Sequence, residues 1–139
     1  FEFIAKVRGI PKETLYHRLD TFRDFMGGEI MEQKKLLRDF SAGNKQKIGI
    51  ISAMICQPQL LILDEPFNFL DPSSQNYLKK LLITYSRETK ATIILSSHNL
   101  QHITEISDRI ILMEKGEILK NIVNANGSAN EELEDYFRI

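Results

Sequence analysis

The sequence feature that most constrains the fold is a four-residue apolar run, Leu60–Leu63, which ends in two adjacent carboxylates, Asp64 and Glu65. Because the run is short, continuous and bounded by Pro58 and Pro66, it predicts a strand buried on both faces, as in a parallel sheet. Ligands of open α/β sheets bind just past the carboxyl ends of such strands. Two like charges at that position repel each other unless a cation or a proton shares the site, so the pair predicts a metal.

The apolar periodicity predicts helices on both sides of this strand. Apolar residues at helical spacing predict a helix over residues 14–26 that stops at Gly27–Gly28. A second helix is predicted to begin just after Gly43 and to continue until Pro58. Asp71–Pro72 is typical of the opening of a third helix.

The second half of the chain continues the alternation of strands and helices. Residues 91–97 are β-branched and apolar, which predicts another buried strand, and a short helix is expected over 99–107. Residues 109–120 predict two strands that turn at Lys115–Gly116, and the acidic tail from Ser128 is weakly helical. Helices that alternate with buried strands predict a three-layer α/β fold.

Composition excludes several classes of partner. Lys and Arg number 18 against 19 for Asp and Glu in 139 residues, so the net charge of −1 gives no bulk attraction to nucleic acid or anionic lipid. The single cysteine, Cys56, excludes an internal disulfide and fits a reducing compartment. No apolar run approaches the roughly 20 residues that span a bilayer. A soluble, cytoplasmic chain is expected, and its start without methionine predicts a fragment.

The residues before the second helix predict an anion site, although a simpler interpretation exists. Ser41, Ala42 and Gly43 leave the first backbone N–H groups of the helix bare, and such a terminus binds phosphate. Serine is also the ordinary N-cap residue, so this feature alone leaves both interpretations open. Likewise, His98 at the end of the second strand is either a structural polar contact or a functional imidazole.

The order of these motifs carries a family resemblance. An anion site, a strand ending in Asp-Glu, then Leu70–Asp71 and a second strand ending in His98 together resemble the nucleotide-binding domain of ATP-binding cassette (ABC) ATPases. The resemblance implies a partial P-loop NTPase-like domain with a parallel sheet core. Its expected parts are a helical signature subdomain over residues 1–57, a core over 58–120 and a C-terminal tail over 121–139.

The resemblance also implies ATP as a ligand, bound partly through the signature motif. Residues 40–44 read Phe-Ser-Ala-Gly-Asn where the family usually has Leu-Ser-Gly-Gly-Gln, and Gln46–Lys47 matches the Gln-Arg that commonly follows. Ala42, Asn44 and Lys47 depart from the commonest residues. The signature residues expected to contact nucleotide are Ser41, Ala42, Gly43 and Asn44.

The remaining family motifs imply the chemistry of ATP hydrolysis. Asp64 matches the Walker B aspartate that holds Mg²⁺, and Glu65 matches the catalytic glutamate that polarises the attacking water. Asp71 matches the D-loop and is expected beside the nucleotide. His98 matches the switch histidine that contacts the γ-phosphate.

One family motif has no counterpart in the chain. The phosphate-cradling loop G-x-x-x-x-G-K-[ST] is missing, because none of the seven glycines is followed by lysine. The chain alone is therefore expected to hydrolyse no ATP. The strand that precedes this loop in the family is missing too, which predicts unpaired strand edges and self-association through residues 91–95 and 110–113.

For the intact protein, the resemblance implies the ATP-hydrolysing subunit of a membrane transporter, with an exporter as the closer expectation. The expected partners are a second ATPase subunit, arranged head to tail, and transmembrane permease subunits that hold it at the inner face of the membrane. Two alternatives remain: an ABC-type ATPase that acts on the ribosome or DNA, and a degenerate cassette that binds nucleotide without hydrolysis. Asn44 keeps the second alternative open, whereas Glu65 and His98 count against it.

Overall fold

The computed structural model describes residues 1–31, 33–125 and 127–137, and the chain divides into two compact units, Phe1–Leu95 and Ser96–Ile139. The elements of the first unit are α1 (Glu2–Val7), α2 (Lys12–Asp20), α3 (Arg23–Met26), α4 (Ala42–Met54), β1 (Leu60–Leu63), α5 (Pro72–Thr89) and β2 (Thr92–Leu95). Those of the second unit are α6 (Leu100–Ile106), β3 (Arg109–Glu114), β4 (Glu117–Val123) and α7 (Ala129–Phe137).

The helix predicted over residues 14–26 is two helices, α2 and α3, so the prediction of one continuous helix is wrong. The N–H of Thr21 donates to the carbonyl of Arg18, and that of Phe22 donates to Leu19, so the last turn of α2 tightens to i−3 bonds. The predicted apolar face is nevertheless confirmed, because its members are all buried: Leu15, Leu19, Phe22 and Met26. Gly27, at φ 64°, ends α3 as predicted.

The strands β1 and β2 form a parallel pair in which Leu60 lies opposite Thr92 and Leu63 lies opposite Leu95. The prediction that β1 is buried on both faces is wrong for the described residues. Leu61 and Leu63 are buried, whereas Ile62 on the opposite face is 65% exposed. Since successive side chains point to opposite faces, one face of β1 is buried and the other is exposed, and helices α4 and α5 contact β1 and β2.

The helices of the first unit meet around Phe25, whose side chain is buried. Its ring stacks on Tyr77 of α5 with the centroids 6.1 Å apart, and the Lys47 ammonium of α4 lies 5.5 Å from the Phe25 centroid. Arg18 of α2 donates to the carbonyl of Ile55 at 2.6 Å, just after α4 ends. Helices α2 and α3 are thereby fixed to α4 and α5, the helices that come before and after β1 in the chain.

The second unit is a β-hairpin packed on two helices. The strands β3 and β4 pair antiparallel with an irregularity between Leu112 and Met113. The predicted turn is confirmed, with Lys115 at φ 49° and Gly116 at φ 80°, both in the region that tight hairpin turns require. The buried centre consists of Ile110, Ala129 and Leu133. None of the helices in the described part of the chain is long and apolar enough to cross a membrane.

Candidate functional site

The candidate anion site lies at the start of α4. Ser41 is its N-cap, and the Ser41 hydroxyl accepts a hydrogen bond from the Asn44 N–H at 3.1 Å. Helix α4 begins at Ala42, two residues earlier in the motif than predicted, because the cap itself fixes the first turn. The capping interpretation of Ser41 is therefore confirmed, while contact of Ser41, Ala42 and Gly43 with nucleotide stays a prediction.

The side chain of Asn44 is held by a distant residue. Its amide nitrogen donates to a carboxylate oxygen of Glu29 at 3.0 Å. Glu29 lies 15 residues earlier, in a 3₁₀ turn at Gly27–Glu29, and no sequence pattern pointed to it. The backbone N–H of Asn44 thus donates to the N-cap Ser41, while the side chain of Asn44 donates to Glu29.

The carboxylates Asp64 and Glu65 directly follow β1, as predicted. Asp64 is exposed and Glu65 is half-buried. The Glu65 backbone has φ 48°, in the left-handed region that is unfavourable for residues other than glycine. Its carbonyl accepts the N–H of Asn68 at 3.2 Å, so the chain reverses immediately after the carboxylate pair.

The loop after Glu65 packs closely against the first turns of α4. A Cβ added at Gly43 would lie 2.7 Å from the carbonyl oxygen of Phe69, so only glycine permits this approach. One turn further along α4, the Gln46 amide donates to the carbonyl of Glu65 at 3.0 Å. From α5, the Gln75 amide donates to the carbonyl of Phe67 at 3.3 Å. The first turns of α4, which include Gly43 of the candidate signature, are therefore in direct contact with the loop that begins at the candidate catalytic glutamate.

Asp71 closes the same loop as the N-cap of α5. Its carboxylate accepts the N–H of Ser74 at 2.7 Å, and Pro72 occupies the first helical position. The hydrogen bond from the Ser74 backbone lowers the pKa of Asp71, to which the charge of Lys47 adds. Asp71 therefore has a clear structural role, and its contact with nucleotide stays a prediction.

His98 lies in the second unit and is exposed. The strand predicted over residues 91–97 ends earlier, at Leu95, so His98 follows it after two intervening residues instead of directly. The Ser97 hydroxyl accepts the N–H of Asn99 at 3.0 Å, and Asn99 then caps α6. The hydrogen bond from Asn99 to Ser97 spans His98, where the chain bends after the strand.

The predicted metal ligands form a small donor set. Within residues 1–31, 33–125 and 127–137, no group of three or more His, Cys, Asp or Glu side chains could hold an ion. Mg²⁺ is commonly bound by one or two carboxylates together with substrate phosphates. Asp64 and Glu65 fit an ion that arrives with a nucleotide, but they do not make a complete metal site by themselves.

Comparisons with known proteins identify the family and the relatives of the chain. Residues 1–103 match the family model described as "AAA domain, putative AbiEii toxin, Type IV TA system". An uncharacterized ABC transporter ATP-binding protein, YhaQ of Bacillus subtilis, is 34% identical over 92% of this chain and 44% of its own length. The bacitracin transport ATP-binding protein BcrA of Bacillus licheniformis is 37% identical over 85% of this chain and 37% of its own length.

Solved structures show the same fold. The ATP binding subunit of an ABC transporter superposes with a TM-score of 0.74 at 25% identity, covering 97% of this chain and 53% of that chain. A dimeric bacterial ABC transporter cassette, MJ0796, gives a TM-score of 0.70 at 20% identity, covering 81% of this chain and 47% of that chain. The predicted class, a partial P-loop NTPase-like α/β domain, is confirmed.

The chain therefore belongs to this AAA-domain family, and its relatives place it among the ATP-binding cassette ATPases. It spans less than half the length of the two curated relatives just described. Within the part that it shares with them, the sequence identified the family correctly from the signature, Walker B and switch-histidine motifs.

Proposed function

We propose that this chain forms the signature and catalytic-glutamate part of the ATP-hydrolysing subunit of an ABC transporter. The observation that carries the proposal is the direct contact between the start of α4 and the loop that begins at Glu65. In this proposal the phosphate site and the carboxylate for water activation belong to one compact unit, within a chain whose relatives are ABC transporter ATP-binding proteins.

In this proposal each site residue has one role. Glu65 accepts a proton from the attacking water, a contribution typically worth about 10² to 10⁴ in rate. Asp64 holds Mg²⁺, which when bound neutralises charge on the phosphates. His98 contacts the γ-phosphate, and Asp71 lies beside the nucleotide. The residues that offer hydrogen bonds to the phosphates from the first turn of α4 are Ser41, Ala42, Gly43 and Asn44.

The proposed partners follow from the same family. A second ATPase subunit, arranged head to tail, brings its nucleotide to the α4 terminus of this chain. Transmembrane permease subunits hold the ATPase at the cytoplasmic face of the membrane. Among the relatives are a bacitracin transport protein and a methionine import protein, so the exporter direction is a separate proposal. ATP-driven movement of substrate in oriented membrane vesicles would test that direction.

The catalytic role of Glu65 is tested by the substitution Glu65→Gln in a two-part protein, in which this chain follows a segment that carries the phosphate-cradling loop. The amide is nearly isosteric but cannot accept a proton, so we expect ATP binding to persist and hydrolysis to fall by at least about 10²-fold. Phosphate release measures the rate, and gel filtration with ATP reports the closed dimer that the variant should accumulate. Hydrolysis at the parental rate would remove Glu65 from the role of base.

The chain by itself is expected to hydrolyse no ATP, because it has no G-x-x-x-x-G-K-[ST] loop to hold the phosphates. A Mg²⁺-dependent phosphate-release assay on the purified chain tests this. Turnover that disappears in Glu65→Gln would show that the chain holds nucleotide elsewhere and would contradict the proposed division of the site.

One observation favours a second function, a cassette that binds nucleotide and regulates without hydrolysis. The Asn44 amide is directed to Glu29, whereas the resemblance predicts that the signature side chain faces a nucleotide. Under this alternative, nucleotide would bind with unchanged affinity in the parental protein and in Glu65→Gln, and neither protein would release phosphate. Measurable turnover in the parental protein would exclude it.

A further inference from the structure

We infer that Gln46 is a positioning residue for ATP hydrolysis, which holds the backbone of Glu65 and couples the first turns of α4 to the catalytic carboxylate. This inference rests on the proposed function of Glu65. It concerns a residue that touches neither the reacting water nor the phosphates in that proposal, so its effect on the reaction is indirect.

The geometry of the contact is specific. The Gln46 amide nitrogen lies 3.0 Å from the Glu65 carbonyl oxygen, and Gln46 is half-buried. The same carbonyl accepts the N–H of Asn68 at 3.2 Å. A carbonyl oxygen has two lone pairs, so these two donors satisfy it completely and fix the plane of the peptide that follows Glu65.

Glu65 needs such a restraint because its backbone is unfavourable. A residue with φ 48° persists in the left-handed region only when its surroundings hold it there. Because the side chain is attached to the backbone at Cα, the backbone conformation of Glu65 sets the direction in which its carboxylate points. If the Gln46 hydrogen bond is removed, Glu65 can relax toward an ordinary conformation and its carboxylate points elsewhere.

The same contact links the catalytic loop to the phosphate end of α4. Gly43 and Gln46 are three residues apart and therefore lie on one face of the helix. Gly43 abuts the carbonyl of Phe69 at the far end of the loop, while Gln46 binds its beginning. A shift of α4 on engaging a phosphate is thus transmitted to both ends of the loop that begins with Glu65.

The test uses Gln46→Leu, which keeps the size of the side chain and removes the donor, in the same two-part protein as the Glu65 test. We expect kcat to fall by about 10- to 100-fold, the scale for a misplaced catalytic group, with KM for ATP changed less than about two-fold. Gln59→Leu is the matched control, because Gln59 is exposed and the same substitution there should leave both constants unchanged.

A double variant distinguishes positioning from simple damage to the fold. If Gln46 acts only through Glu65, then Gln46→Leu should lower the residual rate of Glu65→Gln by less than about two-fold. An equal fall in both backgrounds, or an unchanged kcat in Gln46→Leu alone, would overturn the inference.

Amide hydrogen exchange on the chain itself separates this inference from the proposed function. Gln46→Leu should accelerate exchange at Asn68 and Leu70, whose N–H groups donate within the loop, and leave the hairpin amides of β3 and β4 unchanged. If the two-part protein is inactive, the proposed function fails, and the inference fails with it for catalysis. If exchange in the loop is unchanged, Gln46 does not hold the loop, and the inference fails whatever the rate.

Discussion

Replacing Gly43 by alanine tests the close approach between α4 and the catalytic loop. The new Cβ would lie 2.7 Å from the carbonyl oxygen of Phe69, a backbone atom that cannot move without its peptide. Overpacking of this kind typically costs about 1 to 3 kcal/mol. Alanine regains about 1 kcal/mol of helix propensity over glycine, so we expect a net loss of up to about 2 kcal/mol in the free energy of unfolding.

Gly49 provides a matched control on the same helix. A Cβ added there meets nothing within 4 Å, so Gly49→Ala should gain the propensity term alone, about 0.5 to 1 kcal/mol. The two substitutions are chemically identical and share the propensity gain, so their effects on the free energy of unfolding should differ by the overpacking cost at Gly43 alone. That difference of about 1 to 3 kcal/mol corresponds to roughly 1 M in the urea midpoint for an ordinary m-value.

Urea unfolding followed by tyrosine fluorescence is a suitable assay, since Tyr16, Tyr77 and Tyr85 all lie in the first unit with both glycines. Equal midpoints for Gly43→Ala and Gly49→Ala would refute the reasoning. That result would mean that the loop yields freely and that glycine is not required for the approach.

Two further predictions concern acid stability and association. The hydrogen bond that Asp71 accepts from the Ser74 backbone lowers the pKa of Asp71 below its ordinary value of 3.8. The Asp71 carboxylate therefore stabilises the fold at pH values above 3.8, and this contribution is lost as the pH falls through the folded-state pKa. Urea midpoints should therefore drop more in the parental chain than in Asp71→Asn below about pH 4, and parallel curves would contradict this. The strands β2 and β3 each have one strand partner among the described residues, so the chain is expected to associate through their other edges. Light scattering should show species larger than a monomer, whereas a monodisperse monomer with strongly protected amides in both strands would exclude association.

Local sequence signals predicted the elements well where a short motif determines the backbone. The strand Leu60–Leu63, the start of α5 at Asp71–Pro72 and the hairpin turn at Lys115–Gly116 are all confirmed. In each case the residues that specify the element lie next to one another, as a run of apolar side chains, a cap with proline, or a glycine turn. The family motifs add the order of these elements along the chain.

Features that depend on distant residues were not predicted. The exposure of Ile62 depends on which layers cover the sheet, and the run Leu60–Leu63 has the same composition whether one face or two are covered. The contacts of Gln46 with Glu65 and of Asn44 with Glu29 join residues 19 and 15 positions apart, which no local pattern encodes. The contact of Gln46 with Glu65 carries the positioning proposal. The sequence therefore predicted the fold more completely than it predicted the contacts on which the mechanism depends.

The buried Asn124 gives the second unit a chemical vulnerability. Its amide nitrogen donates to the carbonyls of Thr104 and Ser107 at 2.8 and 2.6 Å, and its side-chain oxygen accepts the N–H of Ala129 at 3.2 Å. Deamidation would convert this residue to aspartate, which has acceptors only and would face two carbonyl oxygens without a proton to share. The side chain is 7% exposed in the folded unit, so burial itself protects the amide from water. Each unfolding event exposes the Asn124 amide to water. The amount of deamidated protein therefore increases with the time that the second unit spends unfolded.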